Sequence, residues 1–218
     1  MKRHIILGAV AAGGALASAC ATVAPPAPAV LEFSRADCPA TPDLTAAISL
    51  TPKKETNGHI VTTVIGPESG CLQTGATSSP YALYALPSDI DDKTLSVGGV
   101  LEVLRILSPT VSVLGADGGV RRTFAAEDYF YRGPVYSVQF RPEPGDAYVL
   151  VTANPARVGQ RYDSINVGTS TTAVYTGYGT ANFTTGHEVT GSRAFSYEGS
   201  VQVIVYDSDT REEGRNGS

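Results

Sequence analysis

The chain has 218 residues, 42% hydrophobic and 17% charged, with a formal net charge of -5. Sparse lysine and modest glutamate exclude a long charged coiled coil, and a pI near 5.2 lacks the basic footprint of a nucleic-acid binder. Apolar content is too high for full disorder. Val, Thr, Ile, Tyr and Phe make up nearly a third of the residues and suit strands better than helices.

Lys2 and Arg3 precede an uncharged run, residues 5–17, that is shorter than the roughly 20 residues needed to span a bilayer. Small residues 17–19 (ASA) then lead into Cys20. This pattern resembles the lipobox of bacterial lipoproteins, with Ala17 where Leu is commoner. The resemblance implies cleavage before Cys20 and acylation of Cys20, and several acyl chains hold a membrane far more firmly than one. Ala21, where Asp would direct retention at the inner membrane, implies the outer membrane, with the domain on its periplasmic face. The other reading is an ordinary Ala-x-Ala signal cut ahead of a free Cys20. Pro25, Pro26 and Pro28 favour an extended tether of about 30 Å over residues 21–30. The expected organisation is a signal peptide (1–19), a lipid anchor and tether (20–34), one domain (35–206) and a fraying polar tail (207–218). Behind a secretory signal, Cys38 and Cys71 read as a disulfide that pins an N-terminal segment to the domain.

The strands follow in chain order. Residues 59–65 (HIVTTVI) stop at Gly66-Pro67, and 81–86 (YALYAL) stop at Pro87. Residues 94–97 and 100–107 read as one strand region interrupted at Gly98-Gly99 by a bulge or bend. Residues 111–114 and 120–124 flank Asp117-Gly118, a type I′ hairpin signal. Residues 125–131 allow one helical turn. Residues 135–141 (VYSVQFR) alternate as a half-buried strand, and 147–152 (AYVLVT) are apolar on both faces, as in a central strand. The turn between them predicts antiparallel neighbours. Asn154-Pro155 reads as a helix start running to about Tyr162. Residues 200–206 (SVQVIVY) read as the last strand. The expected fold is all-β: a single antiparallel, jelly-roll-like β-sandwich with one or two short helices.

Few residues suggest chemistry. His59 lies on a β-branched run and His187 is expected in a loop beside Glu188; neither has the local pattern of a Ser-His-Asp site. The acidic clusters Asp89-Asp91-Asp92 and Asp207-Asp209-Glu212 lack the loop of a calcium site. No catalytic residue, metal ligand or cofactor is expected. Tyr129, Tyr131 and Arg132 read either as a recognition loop or as a short helix plugging one end of the sandwich, with Tyr129 or Tyr131 keeping a wet hydroxyl. Residues 169–186 are uncharged and rich in Thr, Gly and Tyr. They read either as a glycan-binding loop with Tyr175, Tyr178 and Phe183 as stacking platforms, or as a long edge hairpin with a solvated Thr face.

From residue 80 to 164 the order of elements is carried by 81–87 (YALYALP), Leu95, Ser108-Pro109, Val111, Val113, Leu114, Asp117-Gly118, Tyr129-Phe130, 136–140 and 148–151. It resembles the maltose operon periplasmic protein family, and the same order is similar to pre-peptidase C-terminal domains. The former resemblance implies a non-catalytic, periplasm-facing lipoprotein accessory to maltodextrin-type carbohydrate uptake, binding glycan or a transport partner. The alternative expectation is a structural subunit of an outer-membrane assembly for secretion, adhesion or envelope organisation.

Overall fold

The computed structural model describes residues 24–54, 56–75, 77–175, 177 and 180–207. In chain order its strands are β1 (Ile48–Ser49), β2 (Gly58–Ile65), β3 (Cys71–Thr74), β4 (Thr77–Ala85), β5 (Lys93–Val100), β6 (Arg105–Leu107) and β7 (Pro109–Gly115). Then come β8 (Val120–Thr123), β9 (Phe130–Arg132), β10 (Val135–Phe140), β11 (Asp146–Ala153), β12 (Arg161–Tyr175), β13 (Thr180–Ser196) and β14 (Gly199–Asp207). The chain is all-β and sandwich-like, as its composition predicts. The helical content among the described residues is two single 3-10 turns, Leu44–Ala46 and Ala126–Asp128.

One sheet has the order β1-β4-β11-β7-β8, with β3 beside β4; the other runs β2-β14-β5-β10-β9. Their facing sides share one core. Ala82, Tyr84, Val111, Val113, Val149 and Val151 meet Leu95, Val97, Tyr136, Val138, Val201 and Val203. Each fully buried Val or Leu contributes about 1.5–3 kcal/mol. The outer face of the first sheet is also covered. Leu72, Leu83, Leu114 and Leu150 form a second cluster, against which Leu44 and Ala47 pack. This cover explains why β11 is apolar on both faces, as its sequence predicts.

The Cys38–Cys71 disulfide is formed, with Cα atoms 5.2 Å apart. Beside it Gln73 N–H donates to the Pro39 carbonyl at 2.8 Å, and Arg35 N–H donates to Ser78 Oγ at 3.1 Å. The N-terminal segment is thus fixed across the outer face of the first sheet.

Several expectations are corrected. β10 and β11 are not neighbours: β10 pairs with β5 and β9, while β11 pairs with β4 and β7. Residues 141–146 carry the chain between sheets, and turn-forming composition suits a crossing as well as a hairpin. β10 is buried on both sides at its start, Ser137 being 0% exposed, while Gln139 is exposed as its alternation predicts. Gly98 and Gly99 form no bulge, since both ladders of β5 run through them in register. A Cβ on Gly98 would lie 2.1 Å from the Tyr136 carbonyl, and one on Gly99 would lie 2.4 Å from that of Leu107. These glycines permit close approach of neighbouring backbone.

The β7–β8 hairpin forms at Asp117-Gly118, but Gly118 alone there has positive φ, at 78°. The turn is therefore not type I′; Asp117 Oδ1 instead accepts from Gly119 N–H at 3.0 Å. The strand expected over 100–107 breaks after Val100, and β6 turns away to pair in parallel with β13. The helix expected from Asn154 is only a series of turns. Asn154 Oδ1 does accept from Ala156 N–H at 3.0 Å, but Gly159 N–H goes to the Phe195 carbonyl and Phe195 N–H to the Gln160 carbonyl. Those backbone groups serve the end of β13 in place of a helical ladder.

Candidate functional site

A third sheet, ordered β12-β13-β6, consists mainly of one long hairpin. β12 and β13 pair from Arg161↔Ala194 to Tyr175↔Thr180, which at about 3.4 Å per residue is roughly 50 Å of ribbon. β6 grips only the base of it, through Ala194↔Arg105 to Ser196↔Leu107. Beyond that grip, among the described residues, neither outer edge of the hairpin has a strand partner. The edge-hairpin expectation holds and extends further than residues 169–186. His187 lies in β13 opposite Gly168, not in a loop, and Glu188 is opposite Val167.

Charged and aromatic residues build the root. Arg193 Nε donates to the Glu102 carbonyl, and its Nη1 donates to Ser164 Oγ at 2.6 Å. Glu102 Oε1 accepts from Ser200 N–H at 2.7 Å and Ser200 Oγ at 2.8 Å, while Oε2 accepts from Arg105 Nε at 2.7 Å. Burial works to raise the Glu102 carboxyl, but Arg105 and the Ser200 donors hold it below its ordinary value. Glu102 thereby links the turn before β6 to the start of β14 and, through its backbone, to β13.

Tyr131 stacks on Tyr162 at 4.1 Å between ring centroids and lies 4.9 Å from Tyr136. The Arg157 guanidinium sits 4.7 Å above the Tyr136 ring and 4.4 Å from that of Phe195, and it also donates to the Tyr136 hydroxyl. Burial, then the neighbouring Tyr162 hydroxyl, push the Tyr131 phenol up to about 12, against the pull of Arg157. A cavity of about 460 Å³ opens beside this stack. It is lined by Leu101, Pro134, Tyr162, Asp163, Ser164 and Arg193.

The expected contact residues separate. Tyr129 is core: it is 7% exposed, and its hydroxyl accepts from Val111 N–H at 2.7 Å, so it is not wet. Burial raises its pKa. The short turn Ala126–Asp128 precedes it, and Phe130, its neighbour, points out to solvent at 58% exposure. Tyr131 belongs to the root. Arg132 donates to the Ser137 carbonyl and lies 5.5 Å over the Phe130 ring. Tyr175 lies near the tip of the hairpin, 77% exposed. Cys20 and Tyr178 lie outside the described residues.

Sequence reading missed Tyr162, Arg157, Arg193 and Glu102. The only signal was the Arg161-Tyr162-Asp163 cluster that precedes the uncharged stretch. Asp89 and Asp207, weighed for calcium, both meet Lys93, at 3.0 and 2.7 Å. Burial opposes the Lys93 charge, but its bonds to Asp207 and Asp89 hold the ammonium above its ordinary range. No family model matches the chain, and no curated protein matches it closely enough to be reported.

Proposed function

We propose that the chain is a non-catalytic, lipid-anchored subunit of an outer-membrane assembly that presents its hairpin to a partner. The observation that carries this reading is the ribbon of about 40 Å beyond the root, with both edges unpaired among the described residues. Unpaired edges are templates for strand addition. The root supports a presenting role: Arg193, Glu102 and Ser200 tie the hairpin to the sandwich. A chain with residues 169–186 replaced by a short Gly-Ser turn tests it on native gels of solubilised membranes. The intact chain should migrate in a larger complex that the shortened one loses. Equal migration of both would overturn the reading.

The root cavity supports a second reading, accessory binding of maltodextrin-type glycans, as the maltose operon resemblance also suggests. Tyr162 offers an aromatic face, and Asp163, Ser164 and Arg193 offer polar groups suited to sugar hydroxyls. Calorimetric titration with maltodextrins should give heat that Tyr162→Ala removes. Absence of heat with every glycan tried would eliminate this reading.

A further inference from the structure

We infer that the hairpin is one segment of a membrane-spanning β-barrel assembled from several copies of this chain. This rests on the reading of the chain as an outer-membrane subunit and specifies the partner as further copies of itself.

The first argument is charge and length. From residue 164 to 187 the sequence has no Asp, Glu, Lys or Arg, whereas Arg161, Asp163, Glu188 and Arg193 flank that stretch near the root. The pairs from Gly168↔His187 to Tyr175↔Thr180 are therefore uncharged on both strands. They span about 27 Å, and the tip residues 176–179 are uncharged too. The apolar band of a transmembrane barrel is about 25 Å tall, and an aromatic girdle marks each interface. Tyr175, 77% exposed, shares the face of Thr171 and stands at its tip end. The exposed polar residues are neutral, and Thr171 and Thr184 hydrogen bond to each other across the ribbon at 3.0 Å. A hydroxyl row of this kind suits a water-filled lumen.

The second argument is the pair of open edges. In lipid every backbone N–H and C=O needs a partner, so spanning strands must close into a barrel. β12 and β13 run antiparallel. The outer edge of β12 in one copy can therefore meet the outer edge of β13 in the next with the same antiparallel sense. That contact is head-to-tail, and repetition closes a ring with two strands per copy, always an even number.

The third argument is placement. Val30 is hydrogen-bonded to Ser196 and Tyr197, at the end of β13. The nine residues between Cys20 and Val30 reach about 30 Å as a polyproline II tether. An acylated Cys20 therefore holds the hairpin root beside the bilayer.

The test uses the full lipidated chain, purified from membranes in detergent and added to planar bilayers and to dye-loaded phospholipid vesicles. Discrete conductance steps are expected, with the hairpin protected from protease in the vesicles. Thr171→Lys should shift permeation toward anions, and Thr172→Arg, on the opposite face, should cut channel events at least tenfold. Near-ultraviolet circular dichroism, unchanged in both variants, would show that the sandwich is intact. An electrically silent wild-type chain whose hairpin stays cleavable in vesicles would overturn the inference. If that chain still loses its larger complex on hairpin shortening, the assembly reading stands and only the barrel falls. If the silent chain also keeps its larger complex on hairpin shortening, both fall.

Discussion

Val30 and Ser196, 166 residues apart in sequence, hydrogen bond twice: Val30 N–H donates to Ser196 Oγ at 2.8 Å, and that hydroxyl faces the Val30 carbonyl at 3.3 Å. Tyr197 N–H also donates to the same carbonyl at 2.9 Å, and Phe33 packs on the Tyr197 ring. The N-terminal segment is thus fastened to the hairpin root at Val30. Ser196→Ala should leave Val30 N–H without its partner and cost about 1–3 kcal/mol. Hydrogen exchange checks this: the Val30 amide should exchange faster, while core amides of β5 and β14 keep their protection.

Removing the disulfide with the double variant Cys38→Ser and Cys71→Ser frees a ring of 33 residues. A loss of about 3.5 kcal/mol follows from chain entropy. Urea unfolding should give a lower midpoint with the slope little changed. A midpoint equal to wild type would show that the N-terminal segment is held by its packing alone.

Gly98→Ala should be among the most damaging single changes in the core. Its Cβ would meet the Tyr136 carbonyl at 2.1 Å and the Ser137 Cα at 2.5 Å, both backbone atoms. Neither can give way without parting β5 from β10, so a cost of about 3 kcal/mol or more is expected. Gly58→Ala, where nothing lies within 4 Å, is the control and should fall within about 1 kcal/mol of wild type. Thermal unfolding of the two variants distinguishes them.

Glu102 makes stability depend on acid. Its folded pKa is depressed below the ordinary value of 4.5, so its contribution is full above that value. The contribution is lost as pH falls through the folded pKa, when the bonded carboxylate must take up a proton. The gap between wild type and Glu102→Gln in urea midpoint should therefore be constant from pH 7 to 6 and shrink below pH 4.5. A gap that widens in acid would contradict this assignment.

Strands with strong local pattern were legible in the sequence: β2, β4, β11 and β14 lie close to where their apolar runs and stops place them. The Cys38–Cys71 pairing was legible too, since once Cys20 is set aside two cysteines leave one partner each. Which strands pair was not. Residues 141–146 carry turn residues whether the chain doubles back or crosses to the other sheet. Tyr129, Phe130 and Tyr131 are consecutive aromatics, and only the strand phase of β9 decides that Tyr129 is core while Phe130 is solvated. The extent of the hairpin was hidden because Thr, Ser and Gly give no apolar alternation to count. Its root was hidden because Glu102, Arg157 and Tyr162 come together only through tertiary pairing.

The most direct test of the hairpin as the working surface is a photo-crosslinking residue in place of Tyr175, activated in intact cells. The full chain should yield discrete adducts of fixed size that contain a second copy of itself, and the same residue placed at Asn57, at the foot of β2, should yield none. A chain that remains a monomer under illumination at position 175, or that crosslinks equally at position 57, would contradict the account.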